Sequence, residues 1–507
     1  MSFRLALFAC FLILGAVNGA PGFAGTDDRT ISLRMTSFTP VLHPHKLAES
    51  DSRRIASALH VGLIARDNDG SFHPRLAKSW RKRDERTFVF ELKDDLTFSN
   101  GHPVTARDVV ESLCRLQQPG SPYAWVLASV RHEATEDGTR VKCTGLVAEY
   151  DRMIAITESE DSTTLLEALA SPPAWIIPAD PGPERPYGVV PGAGPYEVEE
   201  IVADSRIVLK ARPGGPVRPG ADFMVFNYVP DDAVAAAKFR RGELDVLEVA
   251  SPTLEGALFD KSDDRPVLNA AGTMLKGPVH QMRFALINKQ ALIAKHGFAE
   301  RQAEIFVQAY KVAVDRERIM KIAGDLGKPL YTAFFPRNGK ATKQAMKDTI
   351  DVSDLPVAGL TVLTASDPYS DRIAAALPSR IGNVKLRYRG TDPALVIQSL
   401  VSRDYDIASI ALEAVMDSPF YWASFFRPTS PFVVFGLAIP ELERVDLRTE
   451  EGLAEAQELI DAKGNWVPLF REVRLFAVNP RIEALRFTST GHVSFETVRI
   501  RRAGAVD

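Results

Sequence analysis

The sequence predicts an α/β fold made of more than one structural unit, and three observations carry that reading. From Leu360 onward, strand-type and helix-type segments alternate: 360–364, 371–377, 384–388, 392–401 and 406–411. Such alternation argues for a mixed α/β sheet. A stretch crowded with Pro and Gly, Ser171 to Pro195, is too rich in breakers for a regular element and marks a crossover or boundary. The chain has 507 residues, 45% hydrophobic and 25% charged. That is globular composition, and at roughly 100–200 residues per domain it leaves room for two to four units.

The N-terminus reads as an export signal. Arg4 is followed by an uncharged apolar run, Leu5 to Val17, shorter than the about 20 residues of a membrane span. Small residues follow, and cleavage is expected after Ala24 in Gly22-Phe23-Ala24, with Ala20 as the alternative. Cys10 lies inside the apolar run, which argues against a lipoprotein. Removing the signal leaves Cys114 and Cys143. An oxidising compartment permits them to pair; the other reading is two small buried hydrophobes. The formal net charge is -4, and residues 1–25 hold one Arg and no acid, so the remainder carries -4 - 1 = -5. That balance supplies no electrostatic footprint for nucleic acid or an anionic membrane surface.

Asn68-Asp69-Gly70 is a turn signal. Thr87 to Leu92 alternates, with Phe88, Phe90 and Leu92 on one face, and predicts a half-buried strand. Thr105-Ala-Arg-Asp108 predicts a capped helix start, with Val109, Val110, Leu113 and Leu116 following at helical spacing. Tyr196 to Lys210 predicts two short strands with a turn near Asp204. Asp231-Asp232 predicts a cap for a helix that ends near Arg241, with Gly242 as its left-handed stop. Leu244–Val249 reads as a strand, Glu300–Val314 as an amphipathic helix, and Asp315 as the cap of another helix.

Between Ser71 and Leu116 a specific resemblance emerges. Pro74, Leu76, Ala77, Trp80, Phe98, Gly101, Pro103, Val104, Thr105, Ala106, Asp108 and Val109 occupy the positions of a segment characteristic of the extracytoplasmic oligopeptide-, dipeptide- and nickel-binding receptors of ABC importers, solute-binding protein family 5. Leu42-His43-Pro44-His45, Gly192-Ala-Gly-Pro-Tyr196, Arg241-Gly-Glu-Leu-Asp245, Ala313-Val-Asp-Arg-Glu317 and Val467-Pro-Leu-Phe470 resemble further family segments in the family's order.

The resemblance implies a type II periplasmic-binding-protein-like two-lobed fold with an extra domain (cluster C type). Residues 1–24 would be the signal peptide. Residues 25–58, 191–265 and 480–507 would form lobe I, 59–190 the extra domain inserted in it, and 266–479 lobe II. The implied function is a periplasmic, non-enzymatic, monomeric receptor that needs no cofactor. It would capture a small-molecule or peptide ligand between its lobes and deliver it to the permease subunits of an ABC importer. A ligand-binding module serving a sensor or non-import trafficking is the alternative.

The resemblance also proposes ligand contacts. Thr36-Ser37-Phe38 follows the first strand, where family members touch ligand, and yields Ser37 and Phe38. Peptide binders of the family hold the ligand's amino terminus with an Asp in an Asp-Tyr-x-Asp-Pro-like segment. Here the stretch is Val415-Met-Asp417-Ser-Pro419. Anchored on Pro419 it puts Val415 at that position; a two-residue slip puts Asp417 there. Asp417 is otherwise suited to cap a helix at 419–425. Tyr421 and Trp422 are candidates for lining the cleft, and Phe425 and Phe426 for the core. His43-x-His45 matches a structural position and is not read as a metal site. His132-Glu133 lacks the second His of a zinc-protease helix, Gly324 to Lys328 lacks a phosphate loop's spacing, and no Gly-x-Ser-x-Gly occurs. Arg387 and Arg389 suit a solvated strand face better than an anion clamp.

Overall fold

The computed structural model describes residues 29–38, 40–47, 50–67, 69–159, 164–217, 219–260, 267–268, 272–330, 350–366, 368–413, 419–428, 430, 435–447, 449–488, 493–495 and 498–501. The export signal with Ala20 and Ala24, Asn68 of the expected turn, and Val415 and Asp417 lie outside them.

Among the described residues, twelve strands form one sheet. Ten carry the architecture: β1 (Thr30–Met35), β2 (Tyr196–Val202), β3 (Arg206–Ala211), β4 (Phe223–Tyr228), β5 (Val246–Glu248), β6 (Thr273–Ile287), β7 (Ala358–Ala365), β8 (Val384–Thr391), β9 (Ile407–Glu413) and β10 (Trp466–Val478). Their order is β2-β3-β4-β1-β5-β10-β6-β9-β7-β8. The sheet has two halves. In the first, β1 runs parallel to β4 and β5; in the second, β7 runs parallel to β8 and β9. The antiparallel pair β6–β10 lies between the halves and belongs to both.

That central pair is the feature that sequence patterning leaves hidden. Twelve of the thirteen positions of β10 are buried, Arg471 alone being intermediate, because neighbours cover both faces. A strand covered on both faces has no polar alternation to announce it. β6 departs from regular register between Lys276 and Val279, between Val279 and Gln281, and between Arg283 and Phe284. Such irregularities bend a strand locally and re-aim its side chains, and these lie where the two halves meet.

The local readings of the first half have direct physical counterparts. The turn between β2 and β3 places Asp204 at φ 53°, a left-handed conformation that Asp tolerates better than most residues. Asp231 caps the helix Asp232–Arg240 by accepting from the Val234 amide at 2.8 Å, and Gly242 takes φ 74° just beyond it. In the second half, Asp315 caps Arg316–Ala323 in the same way, through the Arg318 amide at 2.9 Å.

A separate four-stranded antiparallel sheet forms from Ala77–Lys82, Thr87–Leu92, Met153–Thr157 and Leu146–Tyr150. It packs on the helix Ala106–Gln117. Both halves of that helix's capping box are made: Thr105 Oγ1 accepts from the Asp108 amide at 3.3 Å, and Asp108 accepts from the Thr105 amide at 2.9 Å. Cys114 on this helix is disulfide-bonded to Cys143, so pairing is the reading that holds. This insert also reaches the second half of the main sheet. The Trp125 ring lies 5.3 Å, centroid to centroid, from Tyr421.

Candidate ligand-binding cleft

In open α/β sheets, ligands bind beyond the carboxyl ends of parallel strands. Here the ends of β1 and β5 open onto a cavity of about 490 Å³ between the halves. Arg34, Thr36 and Ser37 come from β1 and the turn after it. Ser50, Asp51 and Arg54 come from the helix α1 (Ser50–Leu59), and Glu248 to Ala250 from β5 and its exit. The opposite wall is Gln281 and Arg283 of β6 with Glu472, Val473 and Arg474 of β10. A larger groove, about 960 Å³, lies along the helix Glu300–Ala313 on the second half. It draws no residue from the first half and gathers no parallel strand ends, so the smaller cavity is the better candidate.

Asp51 shapes the β1 exit. Its carboxylate accepts from the Thr36 and Ser37 amides at 2.7 and 3.1 Å and from the Thr36 hydroxyl at 3.0 Å, and it pairs with Arg54. From there a continuous chain of ion pairs crosses the cavity wall. Arg54 also reaches Glu248 at 2.7 Å; Glu248 accepts from Arg474 at 2.9 Å; Arg474 pairs with Glu413; and Glu413 pairs with Arg53 of α1. Glu248 ends β5 and Glu413 ends β9, so each half contributes a carboxylate from the end of one of its parallel strands.

All members of this chain but the partly exposed Glu248 are buried. Side-chain exposure is 1% for Arg474 and 7% for both Arg53 and Glu413. Burial by itself would lower the Arg474 pKa, but Glu248, Glu413 and Asp51 outweigh it and hold the guanidinium above its usual range. Arg283 is fixed separately by Glu472, by Ser370 Oγ at 3.2 Å, and by the Tyr369 ring 4.8 Å beneath it. The insert closes in on the same place. Tyr123 donates to the Leu47 carbonyl and meets Arg53, and burial pushes its phenol above the usual range.

The residues singled out from the sequence fall in different places. Ser37 lines the cavity. Phe38 lies beside it, edge-on to Tyr187 and Tyr228 at 6.0 and 5.8 Å, and is not part of the lining. Tyr421 and Trp422 are 2% and 4% exposed, packed with Phe425, Phe426 and Trp466 in an aromatic core. The helix Pro419–Ser424 starts where sequence puts it. Arg387 and Arg389 are exposed on β8. His43 Nδ1 accepts from the His45 amide at 3.1 Å and so serves as a local cap. Sequence reasoning missed Arg53, Arg54, Glu248, Glu413 and Arg474. The adjacent Arg53-Arg54 on a helix was the one available signal, and it does not distinguish a solvated face from a buried one.

Comparison with known proteins fits this geometry. Residues 71–417 match the model of bacterial extracellular solute-binding proteins, family 5, middle region. The chain belongs to that family. The periplasmic oligopeptide-binding protein OppA of Escherichia coli K12 is 28% identical over 252 residues, 47% of this chain and 46% of OppA. The chain thus spans about half the length of the curated relatives it matches. Among solved structures, the E. coli murein tripeptide-binding protein MppA superposes with a TM-score of 0.77 at 17% identity, covering 94% of this chain and 99% of MppA. Haemophilus influenzae OppA in complex with a peptide superposes at 0.76 and 18% identity, with coverage of 94% and 99%. The fold is that of the type II periplasmic binding proteins. Among the described residues no helix is long and apolar enough to cross a membrane.

Proposed function

We propose that this family 5 protein is a periplasmic, non-enzymatic receptor that captures a small organic or peptide-like solute between two lobes and hands it to an ABC importer. In this reading residues 25–58, 191–265 and 480–507 form lobe I, 59–190 the insert, and 266–479 lobe II. The observation that carries it is the cavity of about 490 Å³ at converging strand ends, walled from both sides. That volume suits a small-molecule site, typically about 300–1,000 Å³. The bent β6–β10 pair supplies a crossing about which the lobes can swing, and ligand contacts on both walls would favour the closed state. The Cys114–Cys143 bond supports an oxidising compartment. Small-angle scattering with the solute that native mass spectrometry finds on the gently purified protein tests the reading. The solute should compact a ligand-stripped sample; an unchanged radius of gyration at saturation rejects lobe closure.

Asp417 and Ser37 remain the proposed direct contacts. If Asp417 holds a ligand ammonium, Asp417→Asn should weaken binding more than about a hundredfold, since breaking a buried charge pair costs about 3–5 kcal/mol. If Asp417 caps the helix at Pro419, Asn serves nearly as well, and titration calorimetry will find binding within about twofold of wild type.

A further inference from the structure

Glu413 ends β9 directly behind the cavity wall, in register with Gln281, which lines the cavity. A buried carboxylate there is a natural subsite for a ligand cation, because both partners lose water together. The place is already filled. Arg53 reaches it from α1, across the junction of the halves, and Tyr123 of the insert meets the same guanidinium. Arg474 takes the other carboxylate oxygen. Along the whole chain of pairs, Arg53, Arg54 and Arg474 balance Asp51, Glu248 and Glu413. A further cation at Glu413 would upset that balance.

We propose that Arg53 is an internal stand-in for a ligand cation: it fills the cation subsite at Glu413, and the solute this protein closes over brings no ammonium or guanidinium to that carboxylate. The inference rests on the receptor reading and narrows the solute class, favouring neutral or acidic hydrophilic molecules and amine-blocked peptides over ligands anchored here by a free amine. The cavity lining agrees, since among its described residues eleven are polar or charged and none is aromatic.

Emptying the subsite tests this. Arg53→Gln and Arg53→Ala should each acquire a site for a small cation. In thermal unfolding with methylguanidinium or methylammonium at about 10 mM, against equal sodium chloride, both variants should gain about 2 °C. Wild type, Arg53→Lys and the double variant Arg53→Gln/Glu413→Gln should not respond. The Gln variant keeps side-chain bulk, so the test survives a failure of the Ala variant to fold. Folded variants blind to both cations, or a wild type that responds equally, would overturn the proposal. Scattering of wild type with its retained solute reports the receptor reading independently: compaction alongside unresponsive variants sinks only the stand-in, and rescued variants without wild-type compaction sink only the receptor.

Discussion

Arg474→Ala should destabilise the protein by about 3–5 kcal/mol, the range for breaking a buried ion pair from one side. The side chain is 1% exposed and donates to Glu248 at 2.9 Å, to Ser50 Oγ at 2.9 Å and to Glu413. Alanine would leave Glu248 with Arg54 and Glu413 with Arg53, and a void where the guanidinium had bridged them. The loss is therefore mainly the penalty of two carboxylates that each lose a cation where they are largely shielded from water. A surface pair gives the contrast. Arg83 and Glu149 make two short contacts, yet their side chains are 38% and 22% exposed. Solvent screens such a pair, so Arg83→Ala should be close to silent. Urea unfolding followed by tryptophan fluorescence compares the two. An Arg474→Ala loss no larger than that of Arg83→Ala would show that the chain of pairs does not hold the halves together.

Sequence made legible what local chemistry decides. The Thr105–Asp108 box, the caps at Asp231 and Asp315, the αL stop at Gly242 and the β2–β3 turn at Asp204 depend on residues within a few positions of one another, and all are present in the fold. The alternating segments after Leu360 are equally clear, because β7, β8 and β9 separate amphipathic helices. The site was illegible for the opposite reason. Arg53 and Glu413 are 360 residues apart in the chain, and Arg54 and Glu248 are 194 apart. Nothing near Glu413 in sequence says that its carboxylate is buried, and nothing near Arg53 says that its partner lies on another strand end. Ser37 lies in the cavity lining at the β1 exit, which is local in sequence, whereas the aromatic cluster after Pro419 suggested Tyr421 and Trp422, whose rings lie in the aromatic core around Trp466.

Lowering the pH from 7 to 5 should remove on the order of 5 kcal/mol of stability through three buried histidines, a larger effect than any single substitution above. His43, His45 and His60 are 7%, 5% and 2% exposed. The first two rings lie 5.3 Å apart, and His60 Nε2 is 3.1 Å from the Leu42 carbonyl. Burial is the main cause that holds their pKa values down, to about 4 for His43 and about 3 for His45 and His60. Lys46 and Arg115 push His43 lower while Glu184 opposes them; His43, Arg115 and His60 push His45 lower; and His43 pushes His60 lower. Backbone groups of Trp175 and Leu42 act weakly in the other direction. In the unfolded chain each ring titrates near about 6.5. Above that, both forms are neutral and the histidines add no pH dependence. Between about 6.5 and 4 the unfolded chain binds protons that the folded protein excludes, so stability falls as pH falls, by up to about 1.4 kcal/mol per pH unit for each ring. Most carboxylates titrate below this window, so a comparison of pH 7 with pH 5 isolates the histidines. Urea midpoints across that interval measure the total, and His60→Gln should flatten the slope by about one third. Ring resonances that titrate near 6.5 in the folded protein, or equal midpoints at both pH values, would show that these side chains are open to protons and that the packing around His43, Trp175 and Leu42 does not exclude them.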